Sequence, residues 1–153
     1  MFTVSRTLRI NQNPSAGPRL TRGRVWRGLV MKAENAVPFV ATMESCTVVE
    51  RGENWLLRDI RLRGEDMRER VTFEPETRVT FERVRSSAMG TIVNEIAEDP
   101  AEGLLLRFTF SLEIAGVPPG GAEERAFAER MADSYLEAVD STLATIRQMA
   151  RDG

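Results

Sequence analysis

The spacing of hydrophobic residues changes twice along the chain. Over residues 2 to 10 it is two, with Phe2, Val4, Leu8 and Ile10 on one face and Thr3, Ser5, Thr7 and Arg9 on the other, the pattern of a half-buried strand. Arg6 interrupts the apolar face. The next segment, NQNPSAGP, is rich in residues that fix turn dihedrals or bond their own backbone, and it predicts a loop. In LTRGRVWRGLVMKAENAVPFV the spacing becomes three and four, with Val25, Trp26, Leu29, Val30 and Ala33 in phase, which predicts helix. Gly23 and Gly28 each cost roughly 1 kcal/mol relative to alanine in a helix interior, so this helix depends on tertiary packing. Asn35 and Pro38 are expected to divide the segment into two short helices.

From residue 42 the period returns to two through TMESCTVVERG, NWLLRDIRLRG, EDMRERVTFEPE, TRVTFERVRS, GTIVNEIAED and GLLLRFTFSLEIAG. Turn signals at Gly52, Gly64, Pro75, Ser86 to Ser87 and Asp99 with Pro100 close the runs, giving six further strands. Their short links require antiparallel pairing. After VPPGG, the residues Phe127, Met131, Tyr135, Val139, Leu143 and Ile146 form a stripe at helical spacing, opposite Glu123, Glu124, Glu129, Glu137 and Asp140. The segment predicts one long C-terminal helix of up to ~30 residues, more than 40 Å at 1.5 Å per residue, which needs a sheet to lie along.

Composition narrows the chemistry. The chain has 153 residues, 42% apolar and 29% charged, which fits one ordinary globular domain over residues 1–153. No uncharged apolar run approaches the ~18 residues of a membrane helix, and the charge-interleaved start MFTVSRTLRI is unlike a signal peptide; a cytoplasmic protein without membrane insertion is expected. There are no histidines and one cysteine, Cys46, which removes zinc chemistry, histidine-based triads and an internal disulfide. No metal or cofactor is expected. The 21 basic residues are 20 arginines and Lys32, interspersed with 23 acidic ones for a net charge of -2, a balance that argues against a nucleic-acid partner.

Strand, helical segment, six antiparallel strands and one long helix is an order that resembles the helix-grip superfamily of START lipid-binding domains, birch-pollen-type allergens and bacterial aromatase/cyclases. Within it the chain is similar to the small AtaL-like family, on the strength of LTRGRVWRGLVMKAENAVPFV, NWLLRDIRLRG and GLLLRFTFSLEI. The resemblance covers nearly the whole chain and implies an α+β fold: a curved seven-stranded antiparallel sheet wrapped around the C-terminal helix, two short helices between strands 1 and 2, and a cavity between sheet and helix. It is specific for fold and weak for function, since fold does not imply function.

Extending the alternation sets polar groups on apolar strand faces: Arg58 between Leu56 and Ile60, Glu69 between Met67 and Val71, Arg83 after Phe81, and Asn94 between Ile92 and Ile96. Buried charges are expensive unless paired, so these groups meet one another, a ligand or water, unless a bulge shifts the register and turns them outward. Arg58, Glu69, Arg83 and Asn94, with Phe81, Phe108, Phe110, Met131 and Tyr135, are the candidate ligand-binding residues. Trp26 and Trp55 read as packing anchors and Cys46 as a small hydrophobe. The favoured function is binding of a hydrophobic or amphipathic small molecule, a lipid or an aromatic polyketide-type metabolite. Aromatase/cyclase resemblance implies an alternative, cofactor-independent polyketide cyclase chemistry with Glu69 as the candidate catalytic base. That mechanism needs a carboxylate whose pKa a dry pocket raises, and a donor such as Arg83, Asn94 or Tyr135. A third possibility is a protein-interaction module similar to the helix-grip domains that activate Hsp90, for which a filled interior is expected. The pattern suits a monomer or a homodimer built through an edge strand or the outer face of the last helix.

Overall fold

The computed structural model describes residues 1–12 and 17–152. The strands are β1 (Phe2–Arg9), β2 (Met43–Gly52), β3 (Trp55–Leu62), β4 (Glu65–Glu74), β5 (Arg78–Arg85), β6 (Ala88–Asp99) and β7 (Gly103–Ile114), and the helices are α1 (Arg22–Glu34) and α2 (Ala122–Asp152). All strand pairs are antiparallel, in the order β1-β7-β6-β5-β4-β3-β2. Consecutive hairpins thus account for the sheet from β2 to β7, and β1 adds to the free side of β7. Residues 13–16 of the expected NQNPSAGP loop lie outside the described residues. Asn11 ties the two ends of this connection, its side chain donating to Leu20 O and accepting from Leu20 N, both at 2.8 Å.

The helical segment holds one helix, which corrects the expectation of two. Thr21 caps α1, accepting from Arg24 N through its side chain, and Asn35 leaves it in an extended conformation at φ -155°. Beyond Asn35 the chain makes a single turn, with Phe39 N and Val40 N both donating to Ala36 O. Pro38 has no N–H to extend it, and a lone turn is too short to repay helix nucleation. Its position is fixed instead by α2, through Ser141 Oγ to Phe39 O at 2.8 Å and Thr145 Oγ1 to Pro38 O at 3.3 Å.

The core lies between the sheet and the two helices, where Leu29, Leu56, Val71, Phe108, Val139 and Ile146 are all buried. α2 has 31 residues, about 46 Å of helix. Apart from Glu124, its buried residues run from Val139 to Ile146, so the C-terminal half seals the core and the N-terminal half spans more open ground. Two glycines set close approaches. A Cβ on Gly28 would lie 2.5 Å from Ile146 Cγ1, so the absence of a side chain lets α1 and α2 touch. In β6, Gly90 has φ +139° and a Cβ there would meet Ser111 O of β7, so only glycine fits that step of the sheet. Trp26 packs edge-on to Phe73, and Arg70 lies over Trp55.

Candidate functional site

Strand register brings the inward polar residues together. Arg58 of β3 is directly opposite Glu69 of β4, which is directly opposite Arg83 of β5, so the three stand in one row across neighbouring strands about 4.8 Å apart. A bulge does occur here: Arg68 pairs with Arg85 while Glu69 pairs with Arg83, leaving Val84 without an opposite residue. The extra residue is absorbed by β5 beyond Arg83, so Glu69 and Arg83 keep their inward direction. Arg58, Glu69, Arg83 and Asn94 are all buried, at 5% exposure or less.

Arg58 is the centre of the arrangement. Its Nε and Nη2 donate to Glu69 Oε1 at 3.0 and 2.8 Å, and its Nη1 donates to Lys32 O and Ala33 O at 3.1 and 3.0 Å. The last two are carbonyls at the end of α1, which have no intrahelical partner. A strand guanidinium therefore closes the helix C-terminus and meets the negative end of its dipole. Glu69 Oε2 faces Arg83 Nε at 3.5 Å, an ion pair that leaves this N–H without a hydrogen-bond partner among the described residues. Arg83 Nη1 donates to Ala88 O at 3.3 Å.

Lys32 completes the cluster from α1. Its Nζ donates to Asn94 Oδ1 at 2.8 Å and sits over the rings of Phe81 and Phe108, 4.7 and 4.9 Å from their centroids. Three basic side chains thus surround one carboxylate. Burial followed by the nearby Arg58 charge lowers the Lys32 pKa to about 7, against the opposing pull of Glu69 and Cys46. Burial alone would raise the Glu69 pKa, but the charges of Arg58 and Arg83 and the Arg58 hydrogen bonds outweigh it and hold the carboxyl below its ordinary value. The Glu69 carboxyl is thus shifted in the direction opposite to the rise that the expected base chemistry needs, and it serves as counter-ion to Arg58 and Arg83.

Against this cluster lies a cavity of about 360 Å³ between the sheet and the N-terminal half of α2. Phe81, Phe108 and Phe110 supply its sheet wall, Met131 and Tyr135 its helix wall, and Lys32, Arg58, Glu69 and Arg83 its charged end. Tyr135 stacks on Phe110 with centroids 4.5 Å apart and planes 14° apart. Burial raises the pKa of its hydroxyl while the adjacent Arg83 opposes the rise, so Tyr135 is a neutral donor at physiological pH. Of the candidate residues, Asn94 alone is absent from the wall and stands behind Lys32. Arg6, the other interruption of an apolar face, reaches the rim and pairs with Asp140 of α2 at 3.2 Å.

Lys32 is missed by strand alternation, although two signals in the sequence mark it. It follows Val25 and Leu29 at helical spacing beside Ala33, all four being buried, and it is a single lysine among 20 arginines. Among the described residues no group of three or more His, Cys, Asp or Glu side chains is assembled as a metal site, and no helix is long and apolar enough to cross a membrane.

Known structures share this architecture. The chain is similar to the Zhui aromatase/cyclase from a Streptomyces species, at 18% identity over 97% of this chain and 95% of that one, with a TM-score of 0.62. It is similar to a START superfamily protein from Mycobacterium smegmatis, at 13% identity over 97% and 98% of the two chains, TM-score 0.62. The di-domain aromatase/cyclase StfQ of the steffimycin biosynthetic pathway matches at 11% identity and TM-score 0.72 over 99% of this chain and 52% of that one, so the chain spans about half the length of StfQ. Among curated proteins, none matches this chain in sequence. At such identities the structures establish a START-like fold, including the seven-stranded antiparallel sheet and the long C-terminal helix. The sequence profile described as acetylaranotin biosynthesis cluster protein L matches residues 4–153, and the chain accordingly belongs to the AtaL family.

Proposed function

We propose that this protein encloses a hydrophobic or amphipathic small molecule, a lipid or an aromatic polyketide-type metabolite, between the sheet and α2. The observation that carries the reading is the cavity: about 360 Å³ lined by aromatic and aliphatic side chains, with a charged cluster at one end. That size and that mixture of an apolar wall with a few convergent polar groups are characteristic of small-molecule sites. Arg83 and Tyr135, both lining the cavity, supply donors to orient the polar end of a ligand. The family description, a protein of a biosynthesis cluster, favours a secondary metabolite over a bulk lipid. An open interior also speaks against the protein-interaction role, for which a filled one is expected. The cyclase alternative is the less supported reading, because its candidate base Glu69 is paired with two guanidinium groups.

Native mass spectrometry after exposure to a cell extract, compared with the denatured mass of the same sample, tests the reading. The expected result is a stoichiometric adduct that disappears on denaturation and is absent from Ala138→Trp, which fills the cavity from α2. A bare protein under native conditions, from an extract of the source cells, counts against it.

A further inference from the structure

The binding role gives the chain's one lysine no task. Lys32 lines the cavity and is only 6% exposed, its amine flanked by the rings of Phe81 and Phe108, which line the same cavity. Its single hydrogen bond among the described residues is to a neutral amide oxygen, that of Asn94. The groups that would hold an ammonium are committed elsewhere: Glu69 to Arg58 and Arg83, and the terminal carbonyls of α1 to Arg58. The cluster has cation to spare, and guanidinium groups do not give up protons in proteins. The amine is the member that relieves the excess by releasing one.

We propose that Lys32 captures the carbonyl carbon of a hydrophobic aldehyde or ketone as a reversible imine inside the cavity, an activity that rests on the cavity being a binding site. The amine lone pair forms a C–N bond as the carbonyl π pair moves to oxygen, giving a carbinolamine. The C–O bond then breaks and the two amine hydrogens leave with the oxygen as water, so nothing is oxidised or reduced. Arg83, beside Lys32 at the charged end, and Tyr135 on the helix wall are donors for the carbonyl oxygen. A buried lysine with a depressed pKa is the form in which this side chain acts as a nucleophile, and the Lys32 pKa of about 7 supplies a large neutral fraction at neutral pH. The charged and titratable groups facing the amine are Arg58 of β3, Glu69 of β4 and Cys46 of β2.

The test uses 2-naphthaldehyde with cyanoborohydride at pH 7, read by intact mass and peptide mapping, beside fluorescence titration with 2-naphthylmethanol, which fits the same space and cannot form an imine. The expected result is one saturable naphthylmethyl adduct on Lys32, forming at least about tenfold faster than on Nα-acetyl-lysine amide because more of the amine is neutral. Lys32→Arg is expected to bind the alcohol and lose the adduct, with Lys32→Met as the second variant if the first does not fold; the wild-type map depends on neither. Alcohol binding without an adduct, an adduct on the terminal amine alone, or labelling of Lys32 no faster than the free amino acid overturns the imine and leaves the binding role standing. Neither binding nor labelling overturns both.

Discussion

The β3–β4 hairpin carries two arginine–carboxylate pairs in consecutive register steps, and they face opposite ways. Arg58 with Glu69 points into the molecule, at 3% and 2% exposure, while Asp59 with Arg68 lies on the outer face with each side chain more than a third exposed. The outer pair has the better geometry, two parallel bonds of 2.7 and 3.0 Å to separate oxygens. The inner guanidinium crowds both bonds onto one oxygen, leaving the other to Arg83. Geometry is a poor guide to consequence here. Water can replace either outer partner, so that pair contributes little. The inner pair is shut off from bulk solvent, and removing one member strands the others at the cost of their desolvation.

Glu69→Gln is the sharpest way to break the comparison. It leaves Arg58 and Arg83 without their anion, and a loss of about 3 to 5 kcal/mol in urea unfolding is expected. A loss below about 1 kcal/mol would show that the buried row does not hold this part of the fold together.

The next effect is one of pH. A base whose folded pKa is depressed binds fewer protons folded than unfolded, so stability rises with pH between the two values. For Lys32 the window runs from about 7 up to the ordinary lysine value of 10.5, with a limiting slope of about 1.4 kcal/mol per pH unit. Unfolding titrations between about pH 7 and 9.5 are expected to show this rise in the wild type and a flatter profile in Lys32→Met. Equal slopes in both would place the proton elsewhere.

Arg58→Lys keeps the charge and removes the fork, so one ammonium must choose between Glu69 and the carbonyls of α1. A loss of about 2 kcal/mol is expected from the acceptors left bare, together with faster amide exchange over the last turn of α1. The smallest effect belongs to the outer face. Asp59→Asn is expected to leave the unfolding midpoint nearly unchanged, with any difference disappearing in about 1 M salt; a salt-insensitive loss would mean that the outer pair is shielded after all.

Alternation alone makes the inner row legible. Arg58, Glu69, Arg83 and Asn94 each stand two residues from an apolar neighbour, and all four are buried. Arg6 obeys the same rule and takes the face of Val4 and Leu8, but it is only half-buried, because β1 is an edge strand and its side chain pairs with Asp140 of α2. Strand period tells which face a residue takes but not how near that face comes to the sheet edge. The second short helix fails for a different reason, since Pro38 and a single turn satisfy the same local signals. Lys32 is readable from its helical phase with Val25 and Leu29, yet its chemistry depends on residues 26 and 62 positions away along the chain, which no local pattern joins.

Gly28 stands one helical turn before Lys32, where its missing side chain gives α1 its clearance over Ile146. A methyl group at that position would collide with the Ile146 side chain, so that side chain or the contact of the two helices must give way. The seating of the helix that carries the lysine thus depends on a residue outside the lining of the lysine's cavity, and enlarging it changes that seating while keeping the identity of every group around the amine.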